Sequence, residues 1–162
     1  GIHVFDQQRQ ANDFRRTITN LTIAGNVLTG STRRAGLILS MGDEAGLGNR
    51  IDGVTVTDNV FRGNDQLGAV VGERVANVTF TGNTFDENGN AGLYVGAGAS
   101  GVTVSGNTFR QSANSVCAIE CTWYPTAHVI VVAGAGAVVD GNRYGPGSPV
   151  TIGTVDPDPG VA

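Results

Sequence analysis

The sequence has no lysine and few charged residues of either sign. All ten basic side chains among its 162 residues are arginines, and charged residues make up 15% of the chain, against roughly 25% in an average globular domain. The net charge of −4 argues against a nucleic-acid binder, because such proteins need a basic face for phosphates. No apolar run approaches the ~20 residues that span a bilayer. We therefore expect no nucleic acid and no membrane among its partners.

Cysteine is also scarce, which excludes a disulfide framework. The two cysteines, Cys117 and Cys121, would lie roughly 13 Å apart in a straight strand, whereas a disulfide needs Cα atoms within about 7 Å. They pair only if the chain bends sharply between them. Two free, largely buried thiols are the alternative, so the redox compartment stays open.

Glycine, by contrast, is abundant, with 25 residues, and it recurs in the copies of an internal repeat. Each copy of the repeat has an alternating strand, then an asparagine, then a large apolar residue two positions later. Five copies occur, at residues 20–28, 53–61, 77–85, 101–109 and 136–144. The asparagines are 33, 24, 24 and 35 residues apart, so the basic unit has 24 residues and two units carry insertions.

A second strand recurs between these copies. It is predicted at residues 1–5, 36–40, 68–72, 92–96 and 116–120, with a frayed sixth copy at 149–153. One such unit cannot bury its apolar face alone, but stacked parallel units can, so the repeat predicts an all-β solenoid. Asparagine tolerates the left-handed backbone of a tight corner. We expect stacked asparagines to form an internal ladder and the following phenylalanines to stack in the core.

With these motifs, the chain resembles the right-handed parallel β-helices of the pectate-lyase-like type. In that family each coil has three short strands, and an asparagine ladder marks the tight turn between the second and third. The positions that match this ladder are Asn26, Asn59, Asn83, Asn107 and Asn142. The resemblance implies five to six coils in one domain over residues 1–155. Residues 156–162 are rich in proline and are predicted to be a tail or linker.

The insertions predict where a ligand would bind. If residues 116–120 form the fifth first strand, every long insertion falls at the corner between the first and second strands. That arrangement predicts a depression over coils three and four, walled by residues 41–52 and 122–132. The outward column of the first strand is apolar, with Ile38, Val70 and Tyr94. Such a patch is either a binding surface or a surface covered by the long loops.

Aromatic and acidic residues near this depression are the candidate ligand contacts. The loop at residues 121–128 holds the only tryptophan, Trp123, beside Tyr124, and flat aromatic rings present an apolar face on which sugars stack. The alternative is that Trp123 packs back on the coil as a lid. The full set of predicted contacts is Trp123, Tyr124, Tyr94, Glu120, Glu73 and His128.

A catalytic set is not recognisable in the sequence. The polysaccharide lyases of this fold would imply a basic residue and calcium-binding acids on the first-strand face, but neither arginine nor aspartate occupies its outward columns. The Asp-Pro-His motif of alginate epimerases and the aspartate pattern of polygalacturonases are also missing. Glu73 and Glu120, two coils or roughly 10 Å apart, are the one pair that suits glycoside hydrolysis. We predict no catalytic residues, no metal and no cofactor.

Three functions fit these sequence patterns. The first is a non-catalytic carbohydrate-binding module, secreted or extracellular and part of a larger multidomain enzyme, which binds a plant cell-wall polysaccharide. The acidic balance favours a neutral ligand such as xylan or another β-glycan. The second is a catalytic fragment, namely a polysaccharide lyase, epimerase or glycosidase. The third is a structural or adhesive segment of a larger surface protein.

Overall fold

All regular elements that the structure describes are β-strands. The computed structural model describes residues 1–6, 17–32, 34–41, 48–110, 127–132, 135–146 and 149–153. Its strands form three parallel sheets. The first sheet contains β1 (Ile2–Asp6), β4 (Ala35–Met41), β7 (Leu67–Val71), β10 (Ala91–Val95), β14 (Val129–Val132) and β17 (Val150–Gly153).

The other two sheets have five strands in their main order. The second contains β2 (Thr17–Ala24), β5 (Arg50–Thr57), β8 (Val75–Thr81), β12 (Val102–Ser105) and β15 (Ala137–Asp140), with the short β11 (Ala99–Ser100) paired to β8. The third contains β3 (Val27–Thr29), β6 (Val60–Arg62), β9 (Thr84–Asp86), β13 (Thr108–Arg110) and β16 (Arg143–Tyr144). Coils one to five each give one strand to each sheet, and β17 adds a sixth strand to the first sheet. The prediction of a parallel β-helix with five to six three-stranded coils is confirmed.

The core lies between the three sheets. Along the second strands of coils two to four, alternate side chains are buried, as in Val54 and Val56 of β5 and in Val78 and Phe80 of β8. The side chains between them point outward, because successive residues of a strand face opposite sides of the sheet. The alternation in the repeat therefore determines which residues fill the interior.

Aromatic rings stack along the core at the third strands, as predicted. The ring centroids of Phe61 and Phe85 lie 4.7 Å apart, those of Phe85 and Phe109 4.6 Å, and those of Phe109 and Tyr144 5.4 Å. All three pairs are close to parallel, with interplanar angles of 8°, 5° and 15°. The stack spans four coils and follows from the placement of one large ring two residues after each asparagine.

The predicted asparagine ladder is present and buried. The Nδ2 of Asn59 donates to the Oδ1 of Asn83 at 3.0 Å, and the Nδ2 of Asn83 donates to the Oδ1 of Asn107 at 2.9 Å. Asn83 Nδ2 also donates to the backbone carbonyl of Val56 in the preceding coil at 2.8 Å. Buried polar groups are costly unless they are hydrogen-bonded. In this ladder the side-chain amides bond to one another and also to the buried backbone carbonyls of the preceding coil.

A second, shorter ladder occupies the corner between the third and first strands. Asn64 Nδ2 donates to the Oδ1 of Asn88 at 2.9 Å, and Asn88 Nδ2 donates to the carbonyl of Phe61 at 2.9 Å. In coil one the backbone N–H of Ser31 donates to the Oδ1 of Asn64 at 3.2 Å. This ladder was not predicted from the sequence. Its signal was an asparagine five residues after the first-ladder asparagine in coils two and three.

The prediction for the first strand of coil five is wrong. That strand is β14, because Tyr94 of β10 is in register with Ile130 and β14 in turn pairs with β17. Ile130 takes the position predicted for the middle of the strand at residues 116–120, and Val132 takes that predicted for its last residue, Glu120. Residues 116–120 themselves lie outside the described residues, as do Cys117 and Cys121.

This correction moves the third insertion to another corner. In coils one and two the insertions do follow the first strand, as predicted, but in coil five the insertion precedes β14 and only residues 133–136 separate β14 from β15. Residues 129–132 therefore belong to a sheet and do not wall a depression. The predicted boundary at residue 155 also lies outside the described residues and stays a prediction.

Removing one rung of either interior column should destabilise the whole solenoid. We expect Asn83→Ala to lower the free energy of unfolding by about 1–3 kcal/mol, since it leaves buried hydrogen-bonding groups unpaired. Phe85→Ala should cost about 3–5 kcal/mol. Val27→Ala, at a side chain 69% exposed, is the matched control and should change stability by less than about 0.5 kcal/mol. Urea unfolding measures all three, and equal midpoints for the three variants would contradict the coil alignment.

Candidate functional site

The outward face of the first sheet is buried across β4, β7, β10 and β14, whereas His3 at the β1 edge is exposed. Its apolar side chains form a second hydrophobic cluster, separate from the core between the sheets, and we call it the outer cluster. Its members are Ala35, Ile38, Leu67, Val70, Ala91, Tyr94, Ala127, Ile130 and Val132. Of the two alternatives for this apolar column, burial favours the covered surface over an open binding surface.

Tyr94 belongs to the outer cluster. It is in register with Val70 on one side and Ile130 on the other, and only 2% of it is exposed. A sugar that stacks on an aromatic ring needs an open ring face, and the Tyr94 ring offers none here. Its position was predicted correctly as an outward one, but its environment is that of a packed side chain.

His128 is fully buried at the start of β14. Its Nε2 lies 3.3 Å from the carbonyl oxygen of Gly145 and 3.2 Å from that of Pro146. Its ring centroid lies 6.2 Å from that of Phe109 and 5.8 Å from that of Tyr144, while Nδ1 is buried without a hydrogen-bond partner. His128 thus packs against the end of the aromatic stack. Burial at this end of the stack raises the pKa of the Tyr144 hydroxyl. A hydrogen bond with Asn142 opposes this increase, and the negative charge of Asp140 adds to it.

Glu73 lies on the surface, in the tight turn between β7 and β8. The next coil passes close beneath it, since a Cβ added to Gly98 would lie 2.9 Å from the Glu73 Cα. The other three predicted contacts, Trp123, Tyr124 and Glu120, lie outside the described residues. The structure therefore brings Tyr94 and His128 into packed interiors, leaves Glu73 exposed, and leaves the aromatic loop as a prediction.

Substitutions at Tyr94 and Glu73 separate packing from surface roles. We expect Tyr94→Ala to lower the free energy of unfolding by about 3–5 kcal/mol, as for other large side chains removed from a core. Glu73→Ala should change it by less than about 0.5 kcal/mol, because the side chain is exposed. Urea unfolding of both variants measures the difference. An unchanged midpoint for Tyr94→Ala would mean that the outer cluster is not packed as described.

The second sheet has a different outer face, which is open and lined with hydroxyl groups. Two columns of side chains run across its strands in register. We call them together the hydroxyl face: Thr22, Thr55, Thr79 and Thr103 in the first column, and Thr57, Thr81 and Ser105 in the second. All seven are exposed or half-buried. Neighbouring rungs are about 4.8 Å apart along the solenoid axis, and the two columns are about 7 Å apart along each strand.

Other side chains mark the edges of this face. Asp52 lies beside it, 3.6 Å from the guanidinium of Arg50, and accepts a hydrogen bond of 2.8 Å from Asn77 Nδ2. In coil five the columns change character, because Val138 follows Thr103 and Asp140 follows Ser105. The hydroxyl face was not predicted, although the sequence carries a signal for it. The pattern Thr-x-Thr or Thr-x-Ser recurs in the second strands of coils two to four.

The described residues hold neither a cluster of three potential metal ligands nor a helix long and apolar enough to cross a membrane. Chemically, the hydroxyl face can donate and accept hydrogen bonds at every rung, since each hydroxyl does both. The threonine methyl groups add apolar contact between these polar points. The face is therefore suited to a flat ligand that carries hydroxyl groups of its own.

Comparison with known proteins agrees with this architecture. The family model described as "Right handed beta helix region" matches residues 15–109, which is more than half of the chain and covers the first four asparagines of the main ladder. No curated protein and no solved structure matches the chain. With its three parallel sheets and its coil repeat, the chain belongs to the right-handed β-helix family.

Proposed function

We propose that this β-helix is a non-catalytic module that binds a neutral polysaccharide through its hydroxyl face. The observation that carries the proposal is the register of the two hydroxyl columns across β2, β5, β8 and β12. Sugar hydroxyls pair with protein hydroxyls, and the C–H groups of a sugar ring contact threonine methyls. A polymer whose units repeat can make the same contacts at successive coils.

The charge of the molecule supports a neutral ligand. None of the seven residues of the hydroxyl face is charged, and the chain as a whole carries a net charge of −4, which disfavours a polyanion. Xylan or another neutral β-glycan of the plant cell wall fits these conditions. An extracellular location within a larger polysaccharide-degrading enzyme belongs to the same proposal.

The ligand is proposed to lie on the second sheet and not on the first. The sequence pattern favoured the first-strand face, but from β4 to β14 the apolar side chains of that face are packed in the outer cluster. Trp123, Tyr124 and Glu120 are retained as proposed additional contacts from the aromatic loop. Glu73, which is exposed, is retained with them and is also the described member of the glutamate pair in the catalytic alternative.

Native affinity electrophoresis against xylan, β-glucan, glucomannan, pectin and alginate tests the proposal. We expect a neutral glycan to retard the protein and to yield no new reducing ends or unsaturated products. The double variant Thr55→Val/Thr79→Val should abolish most of the retardation, because valine keeps the β-branched shape but lacks the hydroxyl. Thr84→Val, outward on the third sheet, is the matched control and should migrate like the parent.

The other outcomes each select a different function. New reducing ends or unsaturated products would favour the catalytic fragment. No retardation by any glycan would overturn the proposal and favour a structural or adhesive segment. Retardation lost in Trp123→Ala but kept in the double threonine variant would assign the binding to the aromatic loop.

A further inference from the structure

We infer that the hydroxyl face binds its glycan with the polymer parallel to the solenoid axis, one sugar unit for each coil. This inference rests on the proposed function and adds the orientation, length and linkage of the ligand. Its starting point is that the same side chain recurs at the same place on successive coils, as Thr55, Thr79 and Thr103 do.

The direction of the polymer follows from the number of equivalent hydroxyl groups that the face offers along the solenoid axis and across its strands. Along the axis the first column offers four successive threonines at intervals of about 4.8 Å. Across the sheet a coil offers two positions, as Thr55 and Thr57 do, before the chain turns the corner at Asp58, whose φ is 55°. A polymer laid across the strands therefore meets two rungs, whereas one laid along the axis meets a new and identical rung at every coil.

The linkage follows from the spacing of the rungs. A pyranose ring joined at opposite ends through equatorial bonds lengthens an extended chain by about the length of one ring, which is close to the spacing of neighbouring rungs. Neighbouring units are rotated about the chain axis, so successive rungs meet different edges of the ring, and each edge offers an oxygen that a threonine hydroxyl can bind. An α-linked polymer that coils does not keep its units in line with a straight column. The face thus selects an extended β-linked chain that is unsubstituted on the side turned toward the protein.

The ends of the columns set the length of the site. The first column runs from Thr22 to Thr103 and stops at coil five, where Val138 is 63% exposed. The second column is shorter, because Ala24 precedes Thr57 in register and Asp140 follows Ser105. The site therefore holds four sugar units, and the contacts are most complete at coils two to four, where both columns carry hydroxyl groups.

Titration calorimetry with xylo-oligosaccharides of two to six units tests this inference, with cello-oligosaccharides in their place if electrophoresis retains β-glucan instead of xylan. We expect each unit up to the fourth to strengthen binding by about five-fold, which corresponds to roughly one net hydrogen bond. The fifth and sixth units should add little. Thr79→Val should weaken binding of the tetramer by a similar factor, while Thr84→Val leaves it unchanged.

A gain-of-function variant makes the test independent of folding defects. Val138→Thr extends the first column into coil five at an exposed position, so it should move the plateau from four units to five. Polymer binding that is insensitive to chain length beyond two units, or a plateau that Val138→Thr leaves in place, would overturn the axial arrangement while the proposed function stands. No binding of the polymer by the parent protein would instead overturn the proposed function itself.

Discussion

The hydrogen bonds between asparagine side chains of successive coils are the constraint on which the rest of the structure depends. Asn59, Asn83 and Asn107 are 0–1% exposed, and each donates both to the next asparagine and to a carbonyl of the preceding coil. A shift of one residue in any coil would leave several buried polar groups unpaired, at about 1–3 kcal/mol each. The ladder therefore fixes the register of all three sheets. The stacked phenylalanines and the aligned hydroxyls are consequences of that register.

The same register gives the three sheets three different exteriors. The first sheet is apolar on both sides, so its outer side chains pack in a second cluster. The second sheet is apolar inside and lined by hydroxyls outside. The third has short strands with exposed charges, where Arg62 forms an ion pair of 3.1 Å with Glu87 and lies 3.8 Å from Asp86. Of these surfaces, the second combines exposure with a repeated chemistry, and this is why the proposed binding site lies there.

The sequence predicted the coil repeat, the main asparagine ladder and the aromatic stack because each has a strict local pattern. It failed at coil five, where residues 116–120 continue the 24-residue spacing from Gly92 but Val129–Val132 forms the strand. The 24-residue spacing locates a strand correctly only in coils that carry no insertion. The better signal was composition, since a strand buried on both faces is apolar at every position. The burial of Tyr94 was beyond the sequence, because it depends on what packs over the sheet. The hydroxyl columns were also visible in the sequence, but their residues were interpreted only as the polar, outward positions of alternating strands.

Hydrogen exchange of the asparagine side-chain amides, followed by NMR, measures whether the ladder holds the coils in register. Coil-to-coil hydrogen bonds in a buried ladder open only with the cooperative unit that contains them. We expect the Nδ2 protons of Asn59, Asn83 and Asn107 to exchange as slowly as the most protected backbone amides of β8 and β12. If they exchange as fast as those of the exposed Asn20, the ladder does not hold the coils in register, and the alignment of the hydroxyl face loses its physical basis.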